Sequence, residues 1–78
     1  MTDNKKPTGY ATNYYELPEW ATELGDLIEY RSMNFNIGNI FKAAYRLGEK
    51  DGTSIEYDLN KIIYFAEREL ARRARQSS

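Results

Sequence analysis

The stretch NFNIGNIFKAAYRLGEKDG, from Asn34 to Gly52, decides how this 78-residue chain folds. Placed at about 100° per residue, Ile37, Ile40, Phe41, Ala44 and Leu47 gather on one side, the pattern of an amphipathic helix. The spacing predicts a helix from Phe35 to Leu47, with Gly48 suited to a left-handed stop. Asn39, Lys42 and Arg46 share a stripe opposite the apolar side, with Ala43 as a small neighbour. Gly38 and Asn39 each cost roughly 0.5–1 kcal/mol of helix propensity against alanine. A helix built only to close a core has little use for them, so Gly38 reads as room for a close approach and the polar stripe as a site.

The flanks extend the pattern to an all-α, three-helix, antiparallel domain. Upstream, Pro18 fits a first helical turn, and a first helix is predicted from there toward Arg31, with Trp20, Leu24, Leu27 and Ile28 on its core stripe. Downstream, Thr53 and Glu56 have capping-box spacing, and a third helix follows with a core stripe of Ile55, Leu59, Ile62, Ile63, Ala66 and Leu70. A second stripe on the same helix collects Tyr57, Asp58, Lys61, Tyr64, Phe65, Arg68 and Arg72. Aromatics turned away from a core call for a partner, and in a chain this small another copy is the commonest one, so the domain is expected to be oligomeric. Residues 1–13 are polar, carry Pro7 and Gly9, and read as a flexible N-terminal arm ahead of a helical domain at 14–78. Tyr10, Tyr14 and Tyr15 are expected to pack back on the domain.

Composition removes whole classes of chemistry. The chain has no cysteine and no histidine, which excludes disulfides, thiolate nucleophiles, Ser-His-Asp and Cys-His triads and the usual transition-metal ligand sets. Net charge is −1, against bulk electrostatic binding of nucleic acid. Acidic residues crowd the first third and arginines the last turns, where cations complement a helix dipole. No apolar run reaches the ~20 residues of a membrane span and the start lacks a signal-peptide core, so a cytoplasmic protein is expected.

Asn39, Lys42 and Arg46 supply what phosphate oxygens require: an adaptable amide, a point charge and a bidentate fork, with Lys50 close behind in sequence. Across from them, Tyr64 can stack or position a base, Lys61 adds charge, and Asp58 can orient a lysine, accept from a sugar hydroxyl or hold a magnesium ion that arrives with a nucleotide. Taken alone, such a stripe is ordinarily a solvated helix face. A separate enzyme reading rests on Glu16-x-x-Glu19 and Glu23-x-x-Asp26, carboxylate pairs of the kind that bind magnesium in helical nucleotide pyrophosphatases, though here both lie on one short segment.

The runs DLIEYRSMNFNIGNIFKAAYRLGEKDG (26–52) and DLNKIIYFAERE (58–69) resemble the SaV-like family of small bacteriophage proteins. The matching positions are Gly38, Asn39, Lys42, Arg46, Gly48, Lys50, Asp58, Leu59, Lys61 and Tyr64. That family includes a phage nucleotide kinase without a Walker A loop. The resemblance therefore implies a phage-encoded nucleotide-binding protein in an infected host's cytoplasm, with nucleoside monophosphate kinase activity as the reaction. Two features depart from the pattern: Ala43 stands where the family commonly has an aromatic, and an initial His-Tyr pair is absent. The competing expectation is a non-catalytic phage protein that inhibits a host or defence enzyme, or sequesters a nucleotide signal, through its aromatic and arginine face.

Overall fold

The computed structural model describes residues 14–49 and 51–77. The described residues form three helices and no strand: α1 (Leu24–Tyr30), α2 (Phe35–Arg46) and α3 (Ile55–Ser77). The arm expected at 1–13 lies outside the described residues, as does Lys50.

Helix α1 begins six residues later than Pro18 suggests, and the reason is local. The Asp26 carboxylate accepts from the backbone N–H groups of Thr22 and Glu23, at 3.0 and 3.1 Å. Those orphan donors are thereby satisfied at the start of a short helix, while Pro18 closes a separate turn by accepting from the Ala21 N–H. Trp20 consequently sits outside α1, more than half exposed, with its ring edge-on to Tyr30. Helix α1 ends in a Schellman arrangement, with the N–H groups of Met33 and Ser32 reaching the carbonyls of Ile28 and Glu29. Ser32 takes the left-handed position at φ 53°.

Helix α2 has the expected limits. Asn34 caps it by accepting from the Ile37 N–H at 2.9 Å, and Gly48 turns the chain at φ 77°. A side chain on Gly48 would bring its Cβ within 2.7 Å of the Ile55 side chain, so glycine is required there for space as well as for φ. Helix α3 is capped by Ser54, not by Thr53. Its hydroxyl accepts from the Tyr57 N–H, and its carbonyl accepts the first helical bond from Asp58.

Helices α2 and α3 form an antiparallel hairpin, and α1 lies against α2. Arg46 meets Asp58 at the turn end, while Asn34 and Asn36 meet Glu69 at the other. This register puts Ala43 level with Lys61 and Ile62, and Asn39 level with Phe65. Helix α3, about 34 Å long at 1.5 Å per residue, therefore runs past the start of α2, carrying its arginines with it.

The side of α3 that meets α2 differs from the expected core stripe. It is the row Asp58, Ile62, Phe65, Glu69 and Arg72, with Asp58 and Glu69 buried. Opposite them α2 buries Asn36 and Ala43, and Ala43 is the one buried hydrophobic residue among those described. Ile55, Leu59, Ile63 and Leu70, expected in the core, are exposed.

Candidate functional site

Two buried carboxylates hold the hairpin, each by a different device. Glu69 receives the side-chain amides of Asn34 and Asn36, each at 3.0 Å, a two-bonded guanidinium from Arg72 at 3.0 and 2.8 Å, and the Arg73 Nε at 2.8 Å. The Arg72 fork, then the Asn36 amide, holds its carboxyl far below the ordinary range against the opposing cost of burial. Arg72 is shifted up in return by the same hydrogen bonds. Asn34 thus serves twice, capping α2 with its oxygen and tying α3 with its nitrogen.

At the turn end, Asp58 is completely buried. One oxygen accepts from the Gly48 N–H at 2.7 Å, and the other from Arg46 at 3.3 Å. The Gly48 N–H is the main influence lowering its pKa, with Arg46 and Lys61 adding to it. Asp58 therefore orients Arg46 and does not face a ligand. A carboxylate so enclosed does not fit the role of magnesium holder, and among the described residues no cluster of three or more acidic side chains gathers to hold a metal.

Arg46 is consequently no free tip off the core: its side chain is 24% exposed, and its Nε is buried without an acceptor among the described residues. Lys42, one turn earlier on α2, is exposed. Asn39 turns its amide onto its own helix, donating to the Phe35 carbonyl at 2.8 Å, so its oxygen is what remains to meet a ligand. Lys61 is half-buried beside Asp58. Tyr64 is exposed, with its ring edge-on to Phe65, which in turn packs edge-on to Phe35.

The antiparallel register brings the two polar stripes onto one side of the hairpin. Phe35, Asn39, Lys42 and Arg46 of α2 lie beside Tyr57, Lys61, Tyr64 and Arg68 of α3. A groove of about 250 Å³ at the far end of this side, lined by Asn34, Phe35, Asn36, Arg68, Arg72 and Arg75, continues it. Sequence reading missed Glu69, Asn34, Asn36 and this arginine groove. Only the clustering of Arg68, Arg72 and Arg75 at helical spacing signals the groove in the sequence.

Within the protomer no close approach explains Gly38. A Cβ there would meet Ile28 Cγ2 at 3.7 Å, an ordinary contact, so no approach in the protomer requires glycine. Ala43 is buried at 1% exposure on the side of α2 that faces α3, so a larger aromatic side chain at that position would require the helices to move apart. Compared with family models, curated proteins and solved structures, the chain matches none.

Proposed function

We propose that the aromatic and cationic side of the α2/α3 hairpin binds a nucleotide through its phosphates, as the resemblance to the small phage family implies, with nucleoside monophosphate phosphorylation as the reaction to assay. The observation that carries this reading is the Gly48–Asp58–Arg46 tie. A buried carboxylate, itself fixed by a backbone N–H, holds a guanidinium in place at the surface. A positioned fork loses less freedom on meeting a phosphate than a free one, and a charge-assisted bond is about twice as strong as a neutral one. Lys42 and Lys61 flank Arg46 with two further positive charges against the single charge of Asp58, leaving the station cationic. Tyr57 and Tyr64 flank it with rings on which a base can stack. Lys50 follows Gly48 in sequence and belongs to the same proposed station. Any magnesium would enter on the nucleotide's own phosphates, since Asp58 is enclosed.

Calorimetric titration with a panel of nucleoside mono-, di- and triphosphates tests the reading. Lys42→Ala is the informative variant because Lys42 is exposed and holds no other element. Affinity should fall about tenfold, the value of one exposed charge-assisted contact, with an unchanged thermal midpoint. Arg46→Ala is less clean, because it strips the buried Asp58 of its charged partner and should destabilise the fold. No heat with any nucleotide, or wild-type affinity in Lys42→Ala, overturns the phosphate station. The second reading, a non-catalytic protein that binds a host or defence enzyme, is favoured by the exposed rings of Phe35 and Tyr45 and predicts the first of those results.

A further inference from the structure

Among the described residues, nothing covers the second open side of the hairpin. Ile55, Leu59, Ile63 and Leu70 are 50, 46, 53 and 69% exposed, and Leu47 at the end of α2 adds to them. Ile62 and Ala66, half-buried, border the same row on its α2 side. Taking roughly 150–200 Å² for a fully exposed leucine or isoleucine, these five leave on the order of 450 Å² of apolar surface open per chain. That is close to the apolar share, about 65% of ~800 Å², that each partner of a homodimer buries. Within the protomer only Ala43 is a buried hydrophobic residue among those described, and domains of this size commonly complete their cores by association.

The spacing of the row identifies its occupant. The intervals along Ile55, Leu59, Ile62, Ile63, Ala66 and Leu70 are four, three, one, three and four residues, so the row reads the same in both directions. A two-fold axis at this level would set Ile55 against Leu70 of a second copy and Leu59 against Ala66, with the two Ile63 side chains flanking the axis and Ile62 remaining on the α2 side. Each residue then contacts its counterpart reciprocally, as an isologous interface demands. Charge follows the same arrangement. Asp51 lies exposed in the turn before α3 and Glu56 exposed in its first turn, while Arg73 lies near its end, 65% exposed and bonded to Glu69 through its Nε. Antiparallel pairing brings the Arg73 end of one α3 toward the Asp51 and Glu56 end of the other, and it opposes the two helix dipoles.

We propose that the chain forms a two-fold dimer by antiparallel pairing of α3 through this row. The interface lies on the opposite side of the hairpin from the nucleotide station and does not rest on it. It also replaces the contact expected from the sequence, since Tyr57 and Tyr64 face the other side and Phe65 packs on Phe35.

The absence of cysteine from the chain makes disulfide mapping direct. The full chain should show twice its monomer mass by light scattering at micromolar concentration. Ile63→Glu, which sets two carboxylates beside the two-fold axis, should return it to one. Under mild oxidation, Ile55→Cys mixed with Leu70→Cys should give a mixed disulfide. Neither variant alone should cross-link, because its sulfurs would lie about 22 Å apart, fifteen residues along a helix. Both substitutions are at exposed positions, so the mapping does not depend on Ile63→Glu folding. A monomeric wild type would assign the row to a foreign partner and overturn the proposal, as would cross-linking of either variant with itself or a dimer that yields no mixed disulfide. Nucleotide titration on the same samples reports separately on the phosphate station.

Discussion

The side of α3 that faces α2 and the side that faces away have exchanged the characters expected of a helix in a bundle. Inside the hairpin two carboxylates, two asparagine amides and one buried alanine lie beside the half-buried Ile62 and Phe65; outside lies an exposed row of isoleucine and leucine. The inner side gains direction in place of area. Each carboxylate accepts only from donors at fixed positions, and an unpaired buried charge is costly, so the polar pairs permit one register of α2 on α3. The outer side gains area without direction, which suits a surface meant for another molecule. The same helix thus settles its own hairpin largely by hydrogen bonding and leaves an aliphatic row exposed, the row on which the proposed dimer rests.

The sharpest way to break this contrast is to remove the larger polar anchor. Glu69→Ala leaves Asn34, Asn36, Arg72 and Arg73 without their common acceptor and should lower the thermal midpoint by about 10 °C or more, followed by circular dichroism. Adding Asn36→Leu and replacing Glu69 by leucine should recover part of that loss, because an apolar pair of similar volume needs no partners. If the single variant melts like the wild type, the inner side is not held by Glu69.

Acid offers a graded version of the same test. Asp58 and Glu69 are held below their ordinary values of 3.8 and 4.5, Asp58 chiefly by the Gly48 N–H and Glu69 chiefly by Arg72. A carboxylate with a depressed folded pKa contributes its full stability above the unfolded value and loses it as pH falls toward the folded one. Stability should therefore be level above about pH 5.5 and decline steadily below about pH 4.5. Glu69→Gln should be less stable at neutral pH and show a shallower acid decline; an unchanged slope would remove Glu69 from the balance.

Gly48→Ala tests the turn that supplies Asp58 with its backbone donor. A left-handed residue costs a side chain about 1–2 kcal/mol, and the clash with Ile55 adds to it, so chemical denaturation should show at least that loss. Ser54→Ala should cost about 1 kcal/mol through the lost cap bond. The smallest effect is a gain: Gly38→Ala should stabilise α2 by roughly 0.5–1 kcal/mol, since its methyl meets Ile28 at contact distance. A loss there would mean that α1 sits closer to α2 in solution.

Local chemistry carried much of the fold. Gly48 marked the end of α2 because a left-handed stop acts within a few residues, whereas the Asn34 cap at its start went unread. The start of α1 was not legible, since whether Asp26 or Pro18 governs it depends on which orphan donors the carboxylate reaches. Ser54 won over Thr53 in the same way. Of the candidate site, the pairing of the α2 and α3 polar stripes was visible in outline, but the roles within it were not. Asp58 and Arg46 both looked like ligand groups; their mutual contact and the burial of Asp58 make the first a holder of the second.

The sequence by itself determined that the chain is helical, where α2 begins and ends, and which residues share a stripe, because helical period and capping are set by neighbours a few positions apart. Only the tertiary structure decided which stripe of α3 meets α2. Hydrophobicity alone favours burying Ile55, Leu59, Ile63 and Leu70, and the choice turned on bonds between residues far apart in the chain: Glu69 with Asn34 and Asn36, 35 and 33 positions away, and Asp58 with Gly48 and Arg46. Such bonds have no period to read, and their strength depends on burial that exists only once the helices have met.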